Sequence, residues 1–417
     1  MKGGESLSGK IRVSGAKNAA LPIMAASLLT EGEIVVDNVP ALADVKTMAE
    51  LLSGLGVKIG FDDGSVRLDA SGDINVEAPY DVVKRMRASY YVLGPLIARF
   101  RKAKVSLPGG CAIGARPIDL HLKGMRQLGC DIEVVHGYLD ARTSGLVGKH
   151  IHLSGSKGPS VGATINVMFA AVLAKGSTVI EGAACEPEVV DCADFLNSIG
   201  GRVEGAGTPI IRIKGVRHLG AGEYRIIPDR IETGTIACAA AITRGEVEIA
   251  SCRPEHLGAV IEKMREAGVL IEAGKRSLFI GKSGKLRPLS VAVDHYPGFP
   301  TDMQAQIMAL MTIVSGTSVV TETIFENRFM HVPELVRMGA QIKVDGNHAM
   351  VTGVKRLTGA PVMASDLRAS AALVLAGLVA DGQTHISRVY HLDRGYESFD
   401  MKMRKLGARI ERVKDDE

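Results

Sequence analysis

The sequence predicts an α/β (α+β) protein made of two similar domains with three repeated units in each, and a ligand cleft between the domains. Length is the first observation, because 417 residues exceed what one ordinary core organises. The second is a closing signal at Leu55-Gly56, Leu128-Gly129, Ile199-Gly200, Ala267-Gly268, Met338-Gly339 and Leu406-Gly407, with successive spacings of 73, 71, 68, 71 and 68 residues. The third is alternation inside each unit, where an Ala-rich segment of 3.6-residue periodicity leads into a β-branched run, then a second amphipathic segment and a second run. A solenoid is the alternative, but its repeats commonly run about 20–50 residues and these are longer.

The first unit opens with Ser14-Gly15-Ala16-Lys17-Asn18-Ala19-Ala20, passes through Gly32-Glu33-Ile34-Val35-Val36, and closes with a helix from Met48 before Val57-Lys58-Ile59. Later helices start at Arg87, Ser160-Val161-Gly162-Ala163-Thr164, Glu232-Thr233-Gly234-Thr235, Thr301-Asp302-Met303-Gln304-Ala305 and Asp366-Leu367-Arg368-Ala369-Ser370. Gly176, Gly245, Gly316 and Gly382 stop four of them. Ser177–Glu181 and Thr317–Thr321 read as short strands.

Composition narrows the function. The chain is 46% hydrophobic, holds 48 glycines and no tryptophan, and carries a net charge of +4, too small a surplus to mark a nucleic-acid or membrane surface. Its six cysteines form no C-x-x-C pair, so neither a zinc site nor a disulfide framework is indicated, and a reducing compartment fits. The N-terminus begins no signal-like apolar region and Ala369–Ala380 is too short for a span, so a soluble cytoplasmic protein is expected.

Charged residues cluster where helices start. An aspartate such as Asp302 or Asp366 reads first as a cap for free backbone N–H groups. Lys17 differs, since a cation at a helix N-terminus opposes the dipole and calls for an anion nearby. In Pro108-Gly109-Gly110-Cys111-Ala112-Ile113-Gly114-Ala115-Arg116-Pro117-Ile118-Asp119-Leu120, the glycines describe a mobile loop, and Arg116 favours a reactive Cys111 thiolate. Cys238, set among Ala237, Ala239 and Ala240, reads as packing. Lys17, Arg87, Arg116, Arg328, Arg368 and Arg394 together imply a pair of anionic substrates. No Walker loop, dinucleotide motif or metal-ligand spacing accompanies them.

On these residues, and on Phe299–Gln306, Phe325–His331 and Asp393-Arg394-Gly395-Tyr396, the chain resembles the UDP-N-acetylglucosamine 1-carboxyvinyltransferase family of the EPSP synthase-like superfamily, from Ser14 to Arg409. The resemblance implies βαβαββ repeats in an inside-out α/β barrel, with one domain over 16–228 carrying the Cys111 loop and a second over 1–15 and 229–417. It also implies that the N-terminus supplies the second domain's first strand, although only Met1 and Lys2 precede Gly3-Gly4 here. Phosphoenolpyruvate and UDP-N-acetylglucosamine are the implied substrates, with no cofactor. Lys17, Asn18, Arg116, Arg328, Arg368 and Arg394 would hold the first. Arg87, Arg116, Pro117, Ile118, Asp119, Leu120, Ser160, Val161, Gly162, Asp302 and Ile324 would hold the second. Cys111 would be the proton donor, the site of a covalent phosphoenolpyruvate adduct and the target of fosfomycin. Asp302 would be the base or orienting acceptor at the sugar 3′-hydroxyl, with Lys17 and Arg394 also catalytic. The rivals are a transferase acting on shikimate 3-phosphate, which would lack the loop cysteine, and a non-catalytic paralogue.

Overall fold

Six segments rich in Ala, Met and Leu form central helices: α1 (Lys17–Ala26), α2 (Leu93–Phe100), α3 (Val161–Ala171), α4 (Arg230–Ile242), α5 (Gln304–Met311) and α6 (Leu367–Gly377). The computed structural model describes residues 1–107 and 118–413. These fall into two units, residues 15–107 with 118–227 and residues 1–14 with 228–413, each with its own apolar core.

The amphipathic stripe expected of the central helices is not what their burial shows. Every residue of α4 and α5 is buried, as is α1 from Ala19 to Ala26 and α6 from Arg368 to Gly377. A helix that is apolar all round belongs in a core, and alanine lets such helices approach closely. The second helix of each repeat, such as Ala43–Gly54 or Pro187–Ser198, keeps polar residues exposed on one face.

Two of the expected helix starts fall on 3₁₀ turns instead. Arg87 begins Arg87–Val92 ahead of α2, and Asp302 lies in Thr301–Met303 ahead of α5. In the fourth repeat the helix starts before Glu232, and Asp229 caps it by accepting from the N–H groups of Ile231 and Glu232 at 2.7 and 2.9 Å.

The first five repeats each end on a strand that pairs in parallel with a neighbouring repeat's first strand, and their own first strands pair antiparallel with their third; in the sixth, His385–Ser387 pairs, among the described residues, only with Pro361–Met363. His150–His152 thus lies beside Ser177–Glu181, and Ser290–Ala292 beside Thr317–Thr321. In residues 15–227 the exchange closes on itself, because Gly222–Arg225 pairs with Glu33–Asp37. In the other unit the N-terminus performs the closure: Ser8–Arg12 runs parallel to Glu246–Ala250 over all five residues. The inner strands alternate, as in Thr317–Thr321, where Ser318 and Val320 face inward.

The repeat-closing glycines have one conformational cause. Gly56, Gly129, Gly200, Gly268, Gly339 and Gly407 all have φ between 90° and 103°. After most of them, the next residue's N–H reaches back to the helix, as Ala340 does to Leu335 O at 3.1 Å and Ala408 to Met403 O at 3.0 Å. This is the left-handed helix stop that glycine adopts without a Cβ penalty.

Candidate active site

Lys17 is the first residue of α1, whose first turn holds no acidic residue. Its Nζ lies 3.2 Å from Asp44 Oδ2, with side chains 13% and 6% exposed. Asp44 belongs to the first turn of Ala43–Gly54, so the protein itself supplies an anion for the cation that opposes the α1 dipole. Asn18 follows on α1, half-buried.

In the same unit, Arg87, Ile118, Asp119, Leu120, Ser160, Val161 and Gly162 lie on elements that pack around His121, which the sequence did not single out. Asp119 begins the helix Asp119–Gln127, whose third residue is His121. Ser160 caps α3, accepting from Ala163 N. A Cβ on Gly162 would stand 3.2 Å from His121 Cε1 and Nε2, so any other residue would have to displace the ring by a few tenths of an ångström. Asn166 of α3 is the organiser: its Oδ1 accepts from Gly94 N at 2.6 Å, and its Nδ2 donates to Tyr90 O at 2.7 Å and meets His121 Nδ1 at 3.1 Å. His121 Nδ1 is therefore an acceptor and its proton sits on Nε2. Burial, reinforced by the Arg87 charge, lowers the His121 pKa to about 4 and keeps the ring neutral.

The other unit gathers Asp302, Ile324, Arg328 and Arg368. Asp302 does not cap α5, whereas Asp366 does cap α6, accepting from Arg368 N and Ala369 N at 2.8 and 3.0 Å. The capping explanation thus fits one aspartate and not the other. Asp302 instead receives a guanidinium on each oxygen, Arg328 Nη2 on Oδ1 and Arg368 Nη2 on Oδ2, both at 2.8 Å. The arginine side chains are 5% and 6% exposed. Burial opposes the Arg368 charge, but Asp302 and Tyr396 outweigh it and its pKa rises. Two arginines expected to face a substrate therefore have a protein carboxylate as partner.

Glu322, also missed, supports this arrangement. It is buried, accepts from Thr301 Oγ1 at 2.8 Å beside Asp302, and accepts from Ile324 N at 2.9 Å and Phe325 N at 3.2 Å. Nothing local marks it, because a strand-end glutamate is ordinary until folding buries it. Arg394 ends the 3₁₀ turn Val389–Arg394. Its neighbour Asp393 is forked by Arg412, whose Nε also binds Asp400 at 2.9 Å. Cys111, Arg116 and Pro117 lie outside the described residues. Among the described residues no His, Cys, Asp and Glu group is arranged to hold a metal ion, and no helix is long and apolar enough to cross a membrane.

Three buried-helix repeats per unit make up a fold that this chain shares with enolpyruvyl transferases of known structure. The EPSP synthase (3-phosphoshikimate 1-carboxyvinyltransferase) family matches residues 1–403. UDP-N-acetylglucosamine 1-carboxyvinyltransferase 2 of Carboxydothermus hydrogenoformans is 54% identical over 417 residues, covering 100% of this chain and 99% of that protein. The UDP-N-acetylglucosamine 1-carboxyvinyltransferase of Yersinia enterocolitica is 56% identical, covering 99% and 98%. Among solved structures, the enolpyruvyl transferase NikO of Streptomyces tendae superposes with a TM-score of 0.90 at 26% identity, covering 99% of this chain and 98% of that one. EPSP synthase of Acinetobacter baumannii shares the fold, with a TM-score of 0.74 at 17% identity and the same coverage. The chain belongs to the UDP-N-acetylglucosamine 1-carboxyvinyltransferase family within the EPSP synthase fold, and it is a transferase.

Proposed function

We propose that this enzyme transfers the enolpyruvyl group of phosphoenolpyruvate to the 3′-hydroxyl of UDP-N-acetylglucosamine with release of phosphate, the first committed step of peptidoglycan synthesis, in the cytoplasm. The observation that carries the proposal is Asp302 held between Arg328 and Arg368, in a chain 54–56% identical to proteins named for this reaction.

The sugar 3′-oxygen attacks C2 of phosphoenolpyruvate, its hydroxyl proton passing to Asp302, while C3 takes a proton, giving a tetrahedral ketal. Loss of a C3 proton and cleavage of the C2–O bond to phosphate then release phosphate and leave the C2=C3 enol ether on the sugar oxygen. Cys111 supplies the C3 proton. Asp302 orients the 3′-hydroxyl as an acceptor, since both carboxylate oxygens already face arginine and each retains a lone pair for a substrate O–H. Lys17, Asn18, Arg116 and Arg394 hold the donor's phosphate and carboxylate, where fixed cations offset charge that develops in the transition state. Arg87, with residues 116–120 and 160–162, holds the nucleotide sugar. The neutral His121 beside Gly162 suits an uncharged ring or amide better than another cation would.

Phosphate release from phosphoenolpyruvate, followed with purified protein, tests this. Release is expected with UDP-N-acetylglucosamine and absent with shikimate 3-phosphate. Release with the second acceptor alone, or with neither, overturns the proposal.

A further inference from the structure

Tyr396 is an unusual residue for its position, two places after the substrate-facing candidate Arg394 and yet 1% exposed. Its hydroxyl meets Thr235 Oγ1 of α4 at 2.9 Å and receives Gln306 Nε2 of α5 at 3.2 Å. The direction of the protons is set. Thr235 spends its own hydrogen on Ile231 O at 2.8 Å, so Tyr396 donates to Thr235. The two hydrogens of the Gln306 amide are shared between Tyr396, Thr235 Oγ1 at 3.0 Å and the main-chain oxygen of Asp302 at 2.8 Å. On the remaining side, the Arg368 guanidinium of α6 sits 5.5 Å from the Tyr396 ring centroid, while its Nη2 binds Asp302. The turn itself is pinned: Tyr396 N donates to Leu392 O at 3.0 Å, and a Cβ on Gly395 would strike Leu367 Cδ2 at 2.5 Å. One phenol therefore joins all three central helices of its unit to the turn that presents Arg394.

We propose that Tyr396 is a positioning residue for the transfer, its hydroxyl tying the turn that presents Arg394 to the central helices and so fixing Arg394 against the phosphate and carboxylate of the enolpyruvyl donor. Tyr396 touches no substrate in this role. A core tyrosine needed for packing alone would use its ring and leave its hydroxyl in any convenient partner's reach. Here the hydroxyl is bound on both sides, by Thr235 of α4 and by Gln306 of α5, and the Gln306 amide also holds the main-chain oxygen of Asp302. The role rests on the function proposed above, and the experiment separates the two.

Tyr396→Phe removes one oxygen and keeps the ring over Arg368. The KM for phosphoenolpyruvate is expected to rise about tenfold, the effect of one hydrogen bond in a charged network, while the KM for UDP-N-acetylglucosamine stays within twofold. Thr235→Val, which removes the acceptor and leaves Tyr396 intact, is expected to give the same one-sided change and carries the comparison if Tyr396→Phe does not fold. An unchanged donor KM, or equal rises in both constants, overturns the proposal. If the wild-type protein releases no phosphate with UDP-N-acetylglucosamine, the assigned reaction fails instead. Calorimetric titration with phosphoenolpyruvate then decides Tyr396: binding about tenfold weaker in the variant supports its role, and equal binding overturns it.

Discussion

Arg368 Nη2 donates to Asp302 Oδ2 across 2.8 Å, joining α6 to the turn that leads into α5. With Arg328 on the other oxygen, the carboxylate is the shared counter-ion of two nearly buried guanidinium groups. Asp302→Ala leaves both without that partner, and removing one member of a buried pair costs about 3 kcal/mol. A melting temperature lowered by several degrees in Asp302→Ala, together with at least 100-fold slower phosphate release in both Asp302→Ala and the isosteric Asp302→Asn, is the expected outcome. Phosphate release near the wild-type rate in Asp302→Asn would remove Asp302 from the reaction.

Lys17 and Asp44 form a pair of the same kind at the start of α1, one step weaker in geometry at 3.2 Å. A double-mutant cycle of Lys17→Ala and Asp44→Asn, read by chemical denaturation, is expected to give a coupling of about 1 kcal/mol. Lys17→Ala is expected to abolish turnover, whereas Asp44→Asn retains measurable activity, because in the proposed reaction the lysine holds the donor and the aspartate does not. Additive stability effects would show that the pair is not energetically coupled.

Cysteine reactivity separates by environment. Burial pushes the Cys238 thiol up to about 12, and Cys130 and Cys252 to about 11, so none of these supplies a thiolate near neutrality. Cys111→Ala is expected to lose turnover and fosfomycin labelling while Cys238→Ala keeps both, with labelling read by intact mass. Label found on Cys238 of the folded wild type would contradict this.

His121 makes stability depend on pH in a stated direction. Its folded pKa is about 4 against 6.5 unfolded, so below 6.5 the unfolded chain binds more protons. The stability it contributes is complete above pH 6.5 and is lost as pH falls from 6.5 toward 4. His331, lowered to about 4 by burial against the opposing charge of Asp366, adds a slope of the same sign. His121→Asn is expected to show a smaller drop in melting temperature between pH 7 and pH 4.5 than the wild type, and an identical drop would exclude the assignment.

Gly339 stops Val332–Arg337 at φ 90°, and a Cβ there would find only Thr358 Oγ1 at 3.6 Å. Space is adequate, so Gly339→Ala is expected to cost about 1–2 kcal/mol from the left-handed backbone alone. Gly258 begins Gly258–Glu266 with helical φ and open space, and Gly258→Ala is expected to stabilise by about 0.5 kcal/mol. Equal effects in the two, by chemical denaturation, would refute the backbone account.

The repeat was legible because its marks are local. A glycine that ends a helix, as at Gly407, must adopt φ near 100° whatever surrounds it, so the requirement is written at one position six times over. The Ala-rich runs also announced helices, although their all-round burial gives no stripe to say which face meets what. Lys17 declared its need for an anion through the helix dipole, but not that Asp44, on the next helix, would answer it.

By itself the sequence determined six helix-and-strand units, an α/β fold and cations at several helix starts, since periodicity, helix stops and charge at helix starts depend on near neighbours in the chain. Only the tertiary structure decided that Asp366 caps a helix while Asp302 instead holds Arg328 and Arg368, that burial and the Arg87 charge keep His121 neutral, and that Glu322 and Tyr396 brace the site. Apart from the local Asp366 cap, each of those joins residues that are tens of positions apart, and its energy exists only once water has been excluded from between them.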